Sequence, residues 1–331
     1  MSIAVLGAGS WGTALAISLS RAGRPVLLWG HLPADIRALA QDRENRALLP
    51  GVPFPDLLGV TSDLSEALAG TAEVLIAVPS HAFAAVVEQV APLLPPAAGV
   101  CWATKGFNPG DGRLLHEVAG QILGDRDLAV VSGPTFAGEV ARGLPTAVTV
   151  ASFSPTHAQR VADYLHTDRF RAYTQSDPIG VQVGGATKNV LAIAAGIADG
   201  LGFGANTRAA LITRGLVELT RLGLALGGQM ASFMGLAGLG DLALTCTDDQ
   251  SRNRRLGLHL ARGLDIAQAR AVIGQEVEGI GAAQVVWAKA QSLGVEMPIS
   301  AQVYRVLYEG VSPREAALAL LERSRKAEWD D

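Results

Sequence analysis

The chain has 331 residues, of which 49% are hydrophobic and 18% are charged, which is enough for about two domains with a sizeable core. The formal net charge of −4 disfavours a general nucleic-acid binder, and the composition disfavours global disorder. Cys101 and Cys246 provide neither a disulfide framework nor a zinc spacing, so we expect no metal site and a reducing compartment. The N-terminus lacks the pattern of a secretory signal, and no uninterrupted apolar run reaches the ~18 residues of a membrane span, so we expect a soluble cytoplasmic protein.

The first half of the chain alternates β-rich runs with helical patterns. The predicted helices include 13–23 and 81–94, and the predicted strands are 3–8, 25–30, 73–79, 99–104, 128–133 and 145–152. Nearly continuous apolar strands separated by helices predict a parallel sheet that is covered on both faces. The predicted fold class of residues 1–178 is therefore a doubly wound α/β domain.

The second half of the chain is predicted to be all-helical. Asp177 and Pro178 form a typical helix start, because Asp can cap a helix and Pro suits its first position. The predicted helices are 178–198, 207–222, 250–262, 281–293, 299–309 and 313–326. We therefore predict two domains, 1–178 and 179–331. The apolar helices of the second could support a homodimer, although periodicity does not distinguish a core from an interface.

The motif GAGSWG follows the first predicted strand at once and opens a predicted helix. In this G-x-G-x-x-G pattern Gly7 permits the tight turn, Gly9 lets the backbone approach a diphosphate, and Gly12 allows close helix–strand packing. The helix N-terminus, which includes Ser10 and Trp11, would present N–H groups to the phosphates. The motif in this context predicts a Rossmann dinucleotide site; the alternative is a glycine-rich turn without a ligand.

The end of the second strand lacks the acid that NAD-preferring sites use to bind the ribose hydroxyls. The strand ends at Trp29-Gly30-His31, and Asp35 follows inside a predicted helix. His31 and Arg37 could accept a 2′-phosphate, so the sequence favours NADP(H), with NAD(H) as the alternative. His31 could also be an ordinary loop histidine.

Polar stretches follow three of the predicted strands, at 78–83, 104–107 and 132–139. In open α/β sheets ligands bind outside the carboxyl ends of the strands. Lys105 is therefore a candidate contact, although it could be a surface lysine. Gly133 and Thr135 lie in a turn that leads to a helix start, where backbone N–H groups could hold an anion or a carbonyl.

A basic helix start lies at 247–263, where Asp248 or Asp249 is the predicted cap. Cations oppose the dipole at a helix N-terminus, so Arg252 there requires either solvent or an anion such as phosphate. The alternative is a solvated basic face. Asp241, just upstream, is predicted either to cap a helix or to orient a cation.

The stretch GGATKNVLAIAAG at 184–196 places Lys188 and Asn189 in an otherwise apolar helix. Gly184 and Gly185 lie one turn before the lysine on the same face, although each Gly costs ~1 kcal/mol in a helix. We expect the glycines to leave room for substrate or nicotinamide beside the ammonium group. The alternative is close helix–helix packing.

A series of motifs along essentially the whole chain resembles, in the same order, the motifs of bacterial NAD(P)-dependent glycerol-3-phosphate dehydrogenases. They are GAGSWGTALA, LWGH, VPSH, WATKG, SGPTFA with Glu139, GLPTA, GGATKNVLAI, GFGANTRAALITRG, GLAGLGDL with the following LTCT, SRNRR and the segment GQEVEG. The resemblance implies a Rossmann domain followed by a helical substrate-binding and catalytic domain. It also implies reversible reduction of dihydroxyacetone phosphate to sn-glycerol 3-phosphate, which feeds glycerophospholipid synthesis.

The same resemblance implies roles for individual residues, with Lys188 as the catalytic acid/base. Implied substrate contacts are Lys105, Gly133, Thr135, Lys188, Asp241, Ser251, Arg252 and Asn253. Implied cofactor contacts are Gly7, Gly9, Ser10, Trp11, Gly12, His31, Lys105, Ala137, Arg252, Val277 and Glu278. Glu276 places an extra charge where relatives often have an apolar residue, so the contact within 276–278 is open.

Two other functions are compatible with parts of the pattern. One is a two-domain dehydrogenase acting on a β-hydroxy acid or ketopantoate, whose substrate carries a carboxylate instead of a phosphate. The other is a non-enzymatic nucleotide-binding sensor on the same fold. The SRNRR cluster and the full-length resemblance favour a phosphorylated substrate over both.

Overall fold

A computed structural model of the chain describes residues 2–323. The chain divides into two compact units, the first formed by Met1–Ala186 with Leu226–Asp241 and the second by Thr187–Ala225 with Leu242–Asp331. The chain therefore passes from one unit to the other three times, after residues 186, 225 and 241, whereas the sequence suggests one division at 178/179. The division at 178/179 stays a prediction. The first change of unit, after Ala186, lies about two turns into the helix that begins at Pro178.

The first unit contains an eight-stranded sheet with the order β3-β2-β1-β4-β5-β6-β7-β8. Neighbouring strands are parallel except for β6 and β7, which are antiparallel. The strands are β1 (Ser2–Leu6), β2 (Val26–Trp29), β3 (Leu58–Thr61), β4 (Thr71–Ile76), β5 (Gly99–Trp102), β6 (Leu128–Ser132), β7 (Thr146–Ser152) and β8 (Phe170–Gln175). The reversal of strand order beside β1 is that of a doubly wound sheet, so the predicted fold class is confirmed.

Both faces of this sheet are buried, as the apolar strands predict. In β1, Ile3 and Val5 belong to one core cluster, whereas Ala4 and Leu6 belong to the other. Successive side chains of a strand point to opposite faces, so each strand contributes to two apolar layers. The helices that cover these layers are α1 (Ser10–Arg21), α2 (Pro33–Asp42), α3 (Leu64–Leu68), α4 (Ser80–Val90), α5 (Leu115–Leu123), α6 (Ala137–Arg142) and α7 (Pro155–Leu165).

Two strands of the sheet are absent from the sequence prediction. Strand β3 has only four residues, LGVT, which is too short to show an alternation. Strand β8, FRAYTQ, lies at the edge of the sheet and is largely exposed, so it lacks the continuous apolar run of a central strand. Both strands are defined by their neighbours rather than by their own sequence.

The second unit is built from helices, as predicted. Helix α8 (Pro178–Gly200) begins in the first unit, where the carboxylate of Asp177 accepts a hydrogen bond from the N–H of Gly180 at 2.8 Å, which confirms the predicted cap. The remaining helices are α9 (Gly204–Ala225), α10 (Met230–Met234, in the first unit), α11 (Asp241–Thr247), α12 (Arg252–Ala261), α13 (Ile266–Ile273), α14 (Glu278–Leu293), α15 (Pro298–Tyr308) and α16 (Pro313–Leu321). Helix α16 ends before the predicted limit at 326, and residues 324–326 lie outside the described residues.

Helix α8 is long enough and apolar enough to cross a membrane, by length and composition alone, despite the polar residues Gln182, Lys188 and Asn189. The apolar window of this helix is entirely buried inside the structure, which is typical of a core helix. Within residues 2–323 no other helix meets the same test.

Candidate active site

The turn between β1 and α1 has the geometry that its glycines predict. Gly7 has a φ of +118°, and a Cβ there would lie 2.8 Å from the carbonyl oxygen of Ala77. A Cβ at Gly12 would overlap the carbonyl oxygen of Gly7, so this position is closed by packing. By contrast, a Cβ at Gly9 would meet no atom within 4 Å. Gly9 therefore presents bare backbone to open space, as a diphosphate-binding turn requires.

The N-terminus of α1 provides unused hydrogen-bond donors. The helix begins at Ser10 after Gly9, no side chain caps it, and its first turn contains no acidic residue. The first N–H groups of a helix have no partner within the helix and attract anions. The indole nitrogen of Trp11 is also buried without a hydrogen-bond partner. These groups fit the diphosphate of a dinucleotide.

The residues after β2 are open to solvent. His31 is exposed, and Asp35 and Arg37 are exposed on α2. Trp29 is the last residue of β2. Its indole N–H donates to the carbonyl oxygen of Ser62 at 3.2 Å, and its side chain is buried. An acid is therefore absent at the strand end itself, and the nearest acid lies within the helix, as the sequence predicts.

Lys105 lies at the carboxyl end of β5 and is bound to a buried carboxylate. Its Nζ donates to the Oδ2 of Asp241 at 2.5 Å and to the carbonyl oxygen of Gly133 at 3.2 Å. The side chain of Asp241 is fully buried, and that of Lys105 is 13% exposed. Of the two roles predicted for Asp241, the ion pair shows that it orients a cation; it is also the first residue of α11. Lys105 is consequently not a solvated surface lysine.

Two predicted contacts lie at the end of β6, in the same unit as Lys105. Thr135 is half-buried, and its hydroxyl donates to the carbonyl oxygen of Gly133 at 3.2 Å. Ala137 is half-buried and opens α6. The hydroxyl of Ser132, which lies in the predicted polar stretch 132–139 but has no predicted role of its own, is buried without a hydrogen-bond partner. The turn thus combines a helix start with an unused polar group.

The glycines before Lys188 have different surroundings. A Cβ at Gly184 would lie 2.5 Å from the carbonyl oxygen of Ala237, so this glycine permits close backbone packing. The expectation of open space beside Gly184 is therefore wrong. A Cβ at Gly185 would lie 3.2 Å from the Ser132 hydroxyl and 3.4 Å from the Lys105 side chain. Gly185 thus contacts the polar residues at the strand ends.

Lys188 is a buried cation of the second unit. It is only 7% exposed, and its Nζ donates to the hydroxyl of Thr245 at 2.9 Å. Asn189, the next residue, is 5% exposed. Burial of a charged group is costly unless polar partners compensate it. Thr245 lies in the stretch LTCT of the resembling motifs, which assign it no role; it also lies four residues after Asp241 on α11, on the same helix face.

The start of α12 is capped by Ser251, whose hydroxyl accepts a hydrogen bond from the N–H of Arg254 at 3.2 Å. The predicted cap at Asp248 or Asp249 is therefore wrong, since the helix begins later than its acidic residues suggest. Arg252 is the first helical residue and is half-buried.

Asn253 joins α12 to two other helices of the second unit. Its amide nitrogen donates to the Oδ1 of Asn189 at 2.9 Å, and its Oδ1 accepts from the N–H of Gly279 at 2.9 Å. Val277 is buried and precedes α14, and the half-buried Glu278 is the first residue of that helix. The segments that contain Lys188, Asn253 and Glu278 are thus held together within this unit.

Comparisons with known proteins cover nearly the whole chain. Residues 2–158 match the family model of the NAD-dependent glycerol-3-phosphate dehydrogenase N-terminus, and residues 177–318 match that of the C-terminus. Relatives named glycerol-3-phosphate dehydrogenase NAD(P)+ include a Shewanella baltica protein, 58% identical with 98% of this chain and 97% of the relative covered. An Aeromonas hydrophila relative is 58% identical with 99% of each chain covered. A crystal structure of glycerol-3-phosphate dehydrogenase from Coxiella burnetii has a TM-score of 0.95 at 48% identity and covers 97% of this chain and 99% of that one.

Proposed function

Because the chain belongs to the NAD-dependent glycerol-3-phosphate dehydrogenase family, we propose that it reduces dihydroxyacetone phosphate to sn-glycerol 3-phosphate with NAD(P)H, reversibly. The observation that carries the proposal is the match of both family models, since together they include the glycine turn and the helix of Lys188. A shared Rossmann turn alone would support only dinucleotide binding. The nucleotide-binding sensor and the ketopantoate-type dehydrogenase are therefore disfavoured.

The residues of the first unit fit a dinucleotide cofactor. When bound, NAD(P)H supplies the hydride. The open backbone at Gly9 and the uncapped start of α1 would hold its diphosphate, and the indole N–H of Trp11 is available as a further donor. The exposed His31 and Arg37, with no acid at the end of β2, support a preference for NADP(H) over NAD(H).

Lys188 is proposed as the acid/base of the reaction. Negative charge grows on the carbonyl oxygen of the substrate as hydride reaches its carbon, and the ammonium group of Lys188 stabilises that charge and donates a proton. In the reverse direction the neutral amine accepts the hydroxyl proton. The hydrogen bond of Lys188 to Thr245 supports this role, because it directs a buried side chain that is otherwise flexible.

The start of α12 is proposed to bind the substrate phosphate. Arg252 supplies a forked guanidinium, and the first turn of the helix supplies N–H groups. Ser251 and Asn253 lie beside Arg252 and are proposed as further contacts. In the first unit, Lys105, Gly133, Thr135 and Asp241 stay predicted substrate contacts.

The cellular role is part of the same proposal. We place the enzyme in the cytoplasm, where it would supply sn-glycerol 3-phosphate for glycerophospholipid synthesis. Both cysteines are buried and outside any disulfide, which supports a reducing compartment. The homodimer stays a prediction.

A comparison of substrates tests the proposed function against the ketopantoate-type alternative. Cofactor oxidation is followed with dihydroxyacetone phosphate and, in parallel, with 2-keto and 3-keto acids. We expect turnover with the phosphorylated ketone alone. Turnover of ketopantoate or of a 3-keto acid at a higher kcat/KM would contradict the proposal, because it would show that the site selects a carboxylate.

A further inference from the structure

Arg254 is a buried cation in the first turn of α12, and all three nitrogens of its guanidinium bind oxygens of the protein. Nε donates to the carbonyl oxygen of Cys246 at 3.1 Å, one Nη to the Oδ1 of Asp249 at 2.5 Å, and the other to the Oδ2 of Asp199 at 2.7 Å. Its side chain is 9% exposed. A cation at this end of a helix opposes the helix dipole, and the two carboxylates compensate for that cost.

These contacts give Arg254 a different role from that of Arg252. Each guanidinium nitrogen of Arg254 already has an anionic or carbonyl partner, so a substrate phosphate would have to compete with two carboxylates. The backbone N–H of Arg254 is bound to the Ser251 hydroxyl. Arg254 therefore organises the helix start instead of contacting the phosphate.

The three partners of Arg254 belong to three separate segments of the second unit. Asp199 lies near the end of α8, Cys246 lies on α11, and Asp249 lies in the connection from α11 to α12. The same Oδ2 of Asp199 also accepts a hydrogen bond from Arg208 at 2.8 Å, so two guanidinium groups share one carboxylate oxygen. We name this set the Arg254 clamp: Arg254, Asp199, Asp249 and the carbonyl group of Cys246.

The backbones of α8 and α12 are in direct contact beside the clamp. A Cβ at Gly196 would overlap the carbonyl oxygen of Arg254, and a Cβ at Gly257 would overlap that of Ile193. Since α8 also carries Lys188, the clamp fixes the start of α12 relative to the helix that delivers the ammonium group. The substrate demands such a fixed spacing, because a single methylene joins the phosphate ester oxygen of dihydroxyacetone phosphate to its carbonyl carbon.

We propose that Arg254 is a positioning residue that holds Ser251, Arg252 and Asn253 at the spacing from Lys188 that the phosphorylated substrate requires. This inference rests on the proposed function, and in particular on phosphate binding at the start of α12. Small displacements of positioning elements far from the reacting atoms reduce rates by up to about 100-fold, so a small shift of α12 has a measurable effect.

The first test replaces Arg254 with lysine. Lysine keeps the positive charge but replaces the planar guanidinium, with its several N–H donors in fixed directions, by a single ammonium group. For Arg254→Lys we expect the KM for dihydroxyacetone phosphate to rise by about tenfold or more, with a smaller fall in kcat. Inorganic phosphate is used as a competitive inhibitor, and its inhibition constant should rise by the same factor. The KM for NADH should rise by a smaller factor than that for dihydroxyacetone phosphate, because the proposed diphosphate contacts lie in the first unit.

Arg208→Lys is the matched control, since Arg208 binds the same carboxylate of Asp199 from α9. Its KM values should stay within about twofold of those of the wild type. Asp249→Asn provides a second variant that keeps the core intact, because the side chain of Asp249 is 73% exposed. We expect it to raise the KM for dihydroxyacetone phosphate and the inhibition constant of phosphate in parallel, by about threefold.

The outcomes separate this inference from the proposed function. If wild-type protein does not turn over dihydroxyacetone phosphate, the proposed function and the inference are both overturned. If the wild type is active but Arg254→Lys and Asp249→Asn match Arg208→Lys in KM and in phosphate inhibition, only the inference is overturned. Should Arg254→Lys lose its cooperative thermal transition, the parallel changes in Asp249→Asn decide the question.

Discussion

Glu73 is a carboxylate buried in the sheet, and its titration provides a quantitative test of the first unit. It lies on β4 and is 1% exposed. Its charged and titratable neighbours include His157 at 3.5 Å, Arg160 at 3.4 Å and the thiol of Cys101. Burial raises the pKa of Glu73 to about 7, although the charge of Arg160 and a hydrogen bond from Cys101 act in the opposite direction.

The raised pKa determines how stability depends on pH. A carboxyl group whose folded pKa exceeds its unfolded value of 4.5 contributes stability below pH 4.5, which is lost as pH rises through about 7. The difference of 7 minus 4.5, at about 1.4 kcal/mol per unit, corresponds to roughly 3 to 4 kcal/mol. His157 has the opposite sign, because burial and Arg160 lower its pKa, so its contribution is lost as pH falls through 6.5 and below.

Glu73→Gln removes the titration of Glu73 and keeps the shape of the side chain. We expect the variant to gain stability over the wild type as pH rises from 5 to 8, by up to about 3 kcal/mol. Urea unfolding at each pH measures the difference, in which the contribution of His157 largely cancels. Glu88→Gln, which removes an exposed carboxylate of the same unit, is the control. A difference between Glu73→Gln and wild type that does not change with pH would refute the reasoning.

Three further predictions concern the site itself. Lys188→Ala should lower kcat by at least ~100-fold in steady-state assays, and near-normal kcat would remove its role as acid/base. Arg252→Ala should mainly raise the KM for dihydroxyacetone phosphate, whereas an unchanged KM would place the phosphate elsewhere. Gly184→Ala should cost about 1–3 kcal/mol of stability, because its Cβ meets the backbone of Ala237, and Gly9→Ala should instead raise the cofactor KM without changing Tm. The reverse pattern in the two glycine variants would contradict these assignments.

The sequence predicts those parts of the fold that local patterns determine. The apolar runs of the central strands, the glycine turn after β1 and the cap at Asp177 each depend on a few neighbouring residues. The edge strand β8 escapes prediction because its exposed residues have no apolar pattern of their own. The three changes of unit, after residues 186, 225 and 241, escape prediction because they depend on contacts between segments distant in sequence.

The candidate site shows the same division. Lys188, Lys105 and Asp241 stand out in sequence because a charge follows or interrupts apolar residues. The pairing of Lys105 with Asp241 joins residues 136 positions apart, which no periodicity reveals. Thr245 and Arg254 escape attention because a threonine in a helix and one arginine among several are ordinary residues. Their roles become visible only when their hydrogen-bond partners are known.

The most direct test of the account is a stoichiometric one. Dihydroxyacetone phosphate is supplied to the purified wild-type chain with NADPH and, separately, with NADH, and both cofactor oxidation and the product are measured. We expect one sn-glycerol 3-phosphate for each cofactor oxidised, with the higher kcat/KM for NADPH. Oxidation without that product, or no oxidation with either cofactor, would contradict the proposed function.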